Sequence, residues 1–207
     1  MFRKEQKAIT RYFTELGART LDLGCGTGHV TSVPHDRGFD VAGVDPSQPM
    51  IDAATALFPQ IDFRTGDATS LELDSNTFEY VLFSYYSLDY ISLESQRYRA
   101  LAEIHRVVKP DGIFMFSSHN QWYLLPALFL DHTRVKNYLF CKENLLHPFT
   151  RYRPVKTRTG EPTTYFSNPL RQRAQLEKVG FELINFIVEH DDVRKYLEVT
   201  PYYVAQK

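Results

Sequence analysis

LDLGCGTG, residues Leu21 to Gly28, decides how the rest of the chain is read. It reads as a buried strand that runs into Asp22 and then into a turn holding Gly24, Gly26 and Gly28. Glycine at every second position lets the backbone bend hard, with no Cβ in the way. In such a bend a ligand sits directly against main-chain N–H groups. Open α/β sheets place their ligands at this point, beyond the carboxyl end of the first strand. A tight turn without a ligand is the plain structural alternative.

Three binding loops compete for this pattern. The nicotinamide fingerprint G-x-G-x-x-G, started at Gly24, needs its third glycine at position 29, which is His29. The phosphate loop of nucleotide hydrolases ends in Gly-Lys-Ser/Thr, and neither Lys nor Ser/Thr follows Gly28. What remains is an acidic residue two places before G-x-G-x-G. That string resembles motif I of the class I S-adenosylmethionine (SAM) dependent methyltransferases, position for position from Leu21 to Gly28. An acid fits because SAM is a cation with an ammonium group, unlike a pyrophosphate. The resemblance implies SAM as cofactor, S-adenosylhomocysteine (SAH) as product, and Asp22, Gly24, Cys25, Gly26 and Gly28 as residues of the cofactor site.

Bulk properties are those of an ordinary soluble globular protein. The 207 residues suffice for one domain with a substantial core, read as spanning 1–207. Hydrophobic residues are 43% and charged residues 24%, ordinary globular values. No apolar run approaches the roughly 18 residues of a membrane span, and the start MFRKEQK lacks a signal peptide's apolar core. Cys25 and Cys141 suggest neither a disulfide framework nor a metal pair, which makes a reducing, cytoplasmic setting the default. The seven histidines form no HExxH pattern, and no metal site is expected.

In chain order, apolar residues at Ala8, Ile9, Tyr12, Phe13 and Leu16 predict a helix over Lys4–Leu16, closed by Gly17. A short or kinked helix is expected from Gly28 to Arg37, because Pro34 falls inside it. Methyltransferases of this type often carry a further N-terminal segment over the cofactor, so a more open site or a truncated start is one expectation. Strand two, Asp40–Val44, ends in Asp45, placed to accept hydrogen bonds from ribose hydroxyls. The resemblance gives Asp45 that role and adds Pro46; a helix cap or turn acid is the other reading of Asp45. A helix over Pro49–Phe58 has Ile51, Ala54, Leu57 and Phe58 on one face, and Met50 either packs on an adenine or belongs to the core. Ile61–Arg64 is a third strand. In TGDAT after it, the resemblance sets Asp67 at the adenine amino group and the Ala68 N–H at the ring.

Phe78–Ser84 is apolar almost throughout and reads as a strand buried on both faces. In the resembled family its exit lines the methionine half of SAM and the mouth for the acceptor, which nominates Ser84, Tyr85 and Tyr86. Their alternative is packing at the sheet edge, and Asp89 reads as a helix cap or a substrate-orienting acid. Glu94–Val108 is an amphipathic helix, and KPDG (Lys109–Gly112) turns into strand five, Ile113–Ser117. Strands alternating with helices argue a parallel, doubly wound sheet. Leu170–Val179 is a helix closed by Gly180, with strands at Phe181–Glu189 and Tyr202–Gln206. The family's fold then implies a Rossmann-like seven-stranded sheet, mostly parallel with an antiparallel last strand, and helices on both faces.

The stretch from His119 to Asn168 is too long for an ordinary connection and reads as an inserted lid. A short helix is expected at Trp122–Leu130. Between Thr133 and Gly160, Arg134, Lys136, Lys142, Arg151, Arg153, Lys156 and Arg158 outweigh Glu143, a net +6 in a chain of −1. Tyr138, Phe140, Phe149 and Tyr152 interleave with them. A basic, aromatic lid invites a small anionic acceptor, and a merely solvated loop is its bland counterpart. Nucleic acid is disfavoured, since the overall charge is not basic and no recognition module is visible.

Methyl transfer needs a nucleophile held in line with the cofactor, and an oxygen nucleophile also needs a proton acceptor. His119, directly after strand five, is the best-placed base, with Asn120 and His147 behind it; a structural histidine is the competing reading. Tyr85 and Tyr86 complete the catalytic candidates. Nucleic-acid or protein methylation, a SAM-binding subunit without catalysis, and a nicotinamide oxidoreductase remain as other classes. The acceptor, the methylated atom and the oligomeric state are not readable from the sequence.

Overall fold

A computed structural model of the chain describes residues 3–91, 93–124, 152–154, 163–188 and 196–207. Helix α1 (Arg3–Tyr12) leads to strand β1 (Arg19–Leu23), helix α2 (Ser32–Asp36), strand β2 (Asp40–Asp45), helix α3 (Gln48–Leu57) and strand β3 (Asp62–Thr65). Strand β4 (Phe78–Phe83), a 3-10 turn (Ser87–Tyr90), helix α4 (Glu94–Val107) and strand β5 (Val108–Ser117) follow, then a second 3-10 turn at Gln121–Leu124. Short strands β6 (Tyr152–Pro154) and β7 (Thr163–Tyr165) pair antiparallel with each other. Helix α5 (Pro169–Val179) and strands β8 (Glu182–Ile187) and β9 (Tyr202–Gln206) complete the described elements.

Seven strands form one sheet in the order β3-β2-β1-β4-β5-β9-β8. The first five neighbours in that order are parallel, while β9 runs antiparallel to both β5 and β8. From β1 the chain winds one way through β2 and β3, then returns to lay β4 and β5 on the other side. That reversal leaves a crevice at the carboxyl ends of β1 and β4, where doubly wound sheets bind ligands. The doubly wound sheet with its antiparallel final strand is as expected.

Alternation along the strands builds a core on each face of the sheet. Leu21, Leu23, Val81, Phe83, Phe114 and Phe116 point to one face and pack under Leu101 and Ile104 of α4 and Leu176 of α5. Val41, Tyr80, Leu82, Met115 and Val204 point to the other, under Ala8, Ile9 and Phe13. Each fully buried Leu or Phe contributes about 2 kcal/mol of transfer free energy. Helices therefore cover both faces.

Local departures from the sequence reading have identifiable causes. Helix α1 stops at Tyr12, short of Leu16, which is 72% exposed. The N–H groups of Thr14 and Glu15 bond instead to the hydroxyl of Tyr80, both at 3.2 Å. Helix α2 shrinks to five residues, so Pro34 falls in its first turn, where a missing N–H costs nothing. Leu57, expected on the inner face of α3, is 55% exposed. Strand β5 already begins at Val108: Phe78 pairs with Val108 and Tyr80 with Ile113, so Lys109–Gly112 bulges out, with Asp111 at φ +62°. Of the expected helix Trp122–Leu130, residues 125–130 lie outside the described residues.

Candidate functional site

The glycine loop leaves β1 with Gly24, Gly26 and Gly28 at φ +66°, +54° and +80°, values that L side chains rarely adopt. A Cβ on Gly24 would lie 2.9 Å from Ser87, and one on Gly28 would lie 2.7 Å from the ring of Phe63. A Cβ on Gly26 would meet nothing within 4 Å. The expectation of main-chain amides waiting for a ligand needs correction here. Gly24 and Cys25 donate to the Val44 carbonyl, Gly26 to the Asp45 carboxylate, and Gly28 to the Cys25 carbonyl. The loop spends three of these N–H groups on tying itself to β2 and the fourth on closing its own turn, because a preformed bend must satisfy its own backbone. What Gly26 offers is room. Cys25 is buried, and burial beside Asp22 and Asp45 pushes its thiol well above the usual range.

Asp22, the last acid before the glycines, is 1% exposed. Its Oδ2 accepts the Thr31 hydroxyl at 2.7 Å, while its Oδ1 is buried without a partner among the described residues. Burial pushes its pKa from 3.8 up to about 7 against the Thr31 hydrogen bond, and the charges of Glu5 and Asp45 add to the rise. Asp45, at the tip of β2, accepts N–H groups on both oxygens: Gly26 at 2.9 Å and Ser47 at 2.9 Å. It is therefore a turn acid, with lone pairs to spare on each oxygen. A cavity of about 290 Å³ opens beside it, lined among others by Gly24, Asp45, Pro46, Asp67, Ala68 and Ser87. Met50 does not line this cavity and is 45% exposed, which removes its core reading because it lies on the outer side of α3.

At the exit of β4, Tyr85 and Tyr86 both take left-handed backbone, at φ +52° and +61°. Strain of this kind persists where surrounding contacts hold it. Here the Tyr86 N–H donates to Ser117 Oγ at 2.9 Å, and its ring leans on His119 at 4.5 Å. Tyr85 is 42% exposed, and burial together with the charges of Glu5 and Asp22 raises its phenol pKa. Ser84 is buried and donates its hydroxyl to Glu5 of α1, so that hydroxyl faces the helix.

His119 follows β5 as expected, and its partner is Asp89. Nδ1 of His119 lies 3.0 Å from Asp89 Oδ2. Asp89 is fully buried and also accepts the Arg97 guanidinium at 3.1 Å and the Ser118 hydroxyl at 2.8 Å. Its cap reading is thus corrected: the residue before α4 is Leu93, and Asp89 points inward because the buried Arg97 needs a counter-charge. Asn120 is buried and spends its side-chain amide on the carbonyls of Tyr196 and Glu198. His147 and most of the basic segment lie outside the described residues.

Comparison with known proteins bears directly on this arrangement. Residues 21–116 match the family described as "Methyltransferase domain". The chain is 32% identical over 130 residues to a protein of Geobacillus sp. described as a methyltransferase, covering 61% of this chain and 52% of that protein. Residues 21–116 are thus similar to methyltransferase domains in sequence. It is also 38% identical over 96 residues to the demethylmenaquinone methyltransferase of Renibacterium salmoninarum, covering 46% of this chain and 39% of that one. The chain thus spans about half the length of the curated relatives it matches. A SAM-dependent methyltransferase from Methanosarcina mazei shares the fold at TM-score 0.80 and 18% identity, covering 100% and 98% of the two chains. The [4+2]-cyclase SpnF shares it at TM-score 0.66 and 20% identity, covering 99% and 80%. Fold likeness at that level says nothing of chemistry.

The methyltransferase family's cofactor is SAM, and the residues present fit it. An unpartnered buried carboxylate oxygen on Asp22, open room at Gly26 and a cavity beside Asp45 suit a cationic nucleoside. Sequence reading missed Glu5 entirely. A signal existed: Glu5 falls three and four residues before Ala8 and Ile9, on the inward face of α1. Thr31, which holds Asp22, carried no such signal.

Proposed function

We propose that this chain transfers the methyl group of SAM to an oxygen or nitrogen atom of a small acceptor, releasing SAH. The observation that carries the reading is Asp22, a buried carboxylate with one oxygen left unpaired beside the glycine loop. An uncompensated buried charge costs several kcal/mol, and a cationic ligand offsets that cost. When bound, SAM supplies a methyl carbon made electrophilic by its sulfonium.

In this reading Asp22 and the loop Gly24, Cys25, Gly26 and Gly28 hold the amino-acid end of the cofactor. Asp45, with Pro46, accepts from the ribose using its remaining lone pairs. Asp67 and Ala68 hold the base. Ser84, Tyr85 and Tyr86 wall the space between cofactor and acceptor. His119 takes the acceptor's proton at Nε2. Its Nδ1–H donates to Asp89, which fixes the tautomer and leaves the Nε2 lone pair outward. The seven basic residues between Thr133 and Gly160 support an anionic acceptor, and the net charge of −1 speaks against nucleic acid. No helix among the described residues is long and apolar enough to cross a membrane.

A second reading, methylation at carbon, is favoured by one relative's name. A protein of Campylobacter jejuni called ubiquinone/menaquinone biosynthesis C-methyltransferase is 25% identical over 120 residues. The oriented His119 favours an acceptor that must lose a proton from oxygen or nitrogen. Titration calorimetry with SAM, SAH and NAD is the first test: SAM and SAH bind and NAD does not. Tritium transfer from labelled SAM to a panel of small acids and phenols then separates the acceptors. Binding of NAD alone overturns the reading, and SAM binding without transfer to any acceptor assigns a non-catalytic subunit.

A further inference from the structure

One buried carboxylate has no part in the chemistry so far. Glu5, on α1, is 0% exposed. Its Oε1 accepts the hydroxyl of Ser84 and, at 2.9 Å, that of Tyr202. Its Oε2 has no partner among the described residues. Burial and the neighbouring Glu5 charge hold the Tyr202 phenol well above its ordinary pKa, so it stays a donor. Lys4, the adjacent cation, is turned away to Glu198 and the Thr200 carbonyl.

Glu5 and Asp22 thus present two buried carboxylates from α1 and β1, each with one oxygen bonded and one unpaired. The groups around them are acidic or neutral: Asp45 from β2, Cys25 from the glycine loop, Tyr85 beyond β4 and Tyr202 from β9. No described cation bonds either free oxygen. A glutamine at position 5 would keep both bonds to Oε1 without burying a charge. The free Oε2 is an acceptor site open to a cationic donor that the described residues do not supply.

We propose that Glu5 is the second carboxylate of the cofactor site, its Oε2 and the Oδ1 of Asp22 together receiving the ammonium of the ligand's amino-acid part. The inference rests on the cofactor reading above and adds α1 to the site. It also links binding to protons, because a cation favours the ionised form of Asp22 and expels the proton it partly holds near neutral pH.

The test compares SAH, which carries the ammonium, with 5′-methylthioadenosine, which lacks it. In Glu5→Gln, SAH affinity falls roughly ten- to a hundredfold, and methylthioadenosine affinity changes less than about threefold. In the wild type, calorimetry at pH 7 in buffers of different ionisation enthalpy shows proton release with SAH and none with methylthioadenosine, a readout that needs no variant to fold. Unchanged SAH affinity in Glu5→Gln, or an equal loss for both probes, overturns the inference while the cofactor reading stands; equal proton release with both probes takes Asp22 away from the ammonium and overturns the inference together with that part of the cofactor reading. A wild-type chain that binds neither SAM nor SAH overturns both.

Discussion

The imidazole Nδ1 of His119 lies 3.0 Å from Asp89 Oδ2, and the same oxygen accepts the His119 backbone N–H at 2.7 Å. One carboxylate oxygen thus fixes ring and main chain together, so the ring's other nitrogen keeps a defined direction. General-base help of this kind is worth about 10²–10⁴ in rate. His119→Ala is expected to lower kcat with an oxygen or nitrogen acceptor by about that range, while SAM affinity changes less than about threefold. Steady-state kinetics beside calorimetry check the split, and an unchanged kcat removes the base.

Asp89 also answers the buried charge of Arg97. That guanidinium is fully buried, bonds the Leu88 carbonyl, Gln172 and Gln175, and lies 4.3 Å from the ring centre of Tyr165. Asp89→Ala strands it, at an expected cost of about 3–5 kcal/mol. Adding Arg97→Met to that variant is expected to recover part of the loss, since an apolar side chain needs no counter-charge. Urea denaturation of both variants measures the recovery; a double variant weaker than the single one contradicts it.

The sheet was legible because its signals are local. Glycines at alternate positions, apolar runs such as Phe78–Phe83 and the helix stop at Gly180 each act within a few residues. The end of α1 was not, because its last amides turn to Tyr80, 65 and 66 residues away. The pairing of Asp89 escaped for the same reason: its partners come from α4 and from the chain just after β5, and no window around DYIS contains them. The amides of the glycine loop misled for a subtler cause. Their spacing announces a bend, but only the pairing with Val44 and Asp45 reveals that the bend consumes them.

Gly26 separates backbone strain from cofactor room. It sits at φ +54° with nothing within 4 Å of an added Cβ, and Gly17, far from the glycine loop's ligand side, sits at φ +78° with the same freedom. Alanine at either position is expected to cost about 1–2 kcal/mol of stability from left-handed backbone alone. Only Gly26→Ala is expected to weaken SAM binding as well, by tenfold or more, because its Cβ occupies the ligand's space. Melting curves and SAM titrations on the two variants decide it; equal affinities in both mean that the ligand does not approach Gly26.

Asp22 makes the unliganded protein sensitive to pH in an unusual direction. Its pKa of about 7 stands above the ordinary 3.8, so between those values the folded chain holds a proton that the unfolded chain releases. Stability from this group is therefore greatest near pH 4 and falls as pH rises toward 7. A pKa difference of 1 between folded and unfolded chain is worth about 1.4 kcal/mol, so the deficit above pH 7 reaches about 4 kcal/mol. Asp22→Asn cannot ionise and is expected to lose that slope, which makes it less pH-dependent than the wild type from pH 4 to 8 in urea denaturation. Saturating SAM is expected to flatten the wild-type curve in the same window, because its cation favours the charged carboxylate that burial disfavours. Parallel curves for wild type and Asp22→Asn would mean that the carboxylate titrates normally, and the cation-seeking role assigned to its free oxygen would fall.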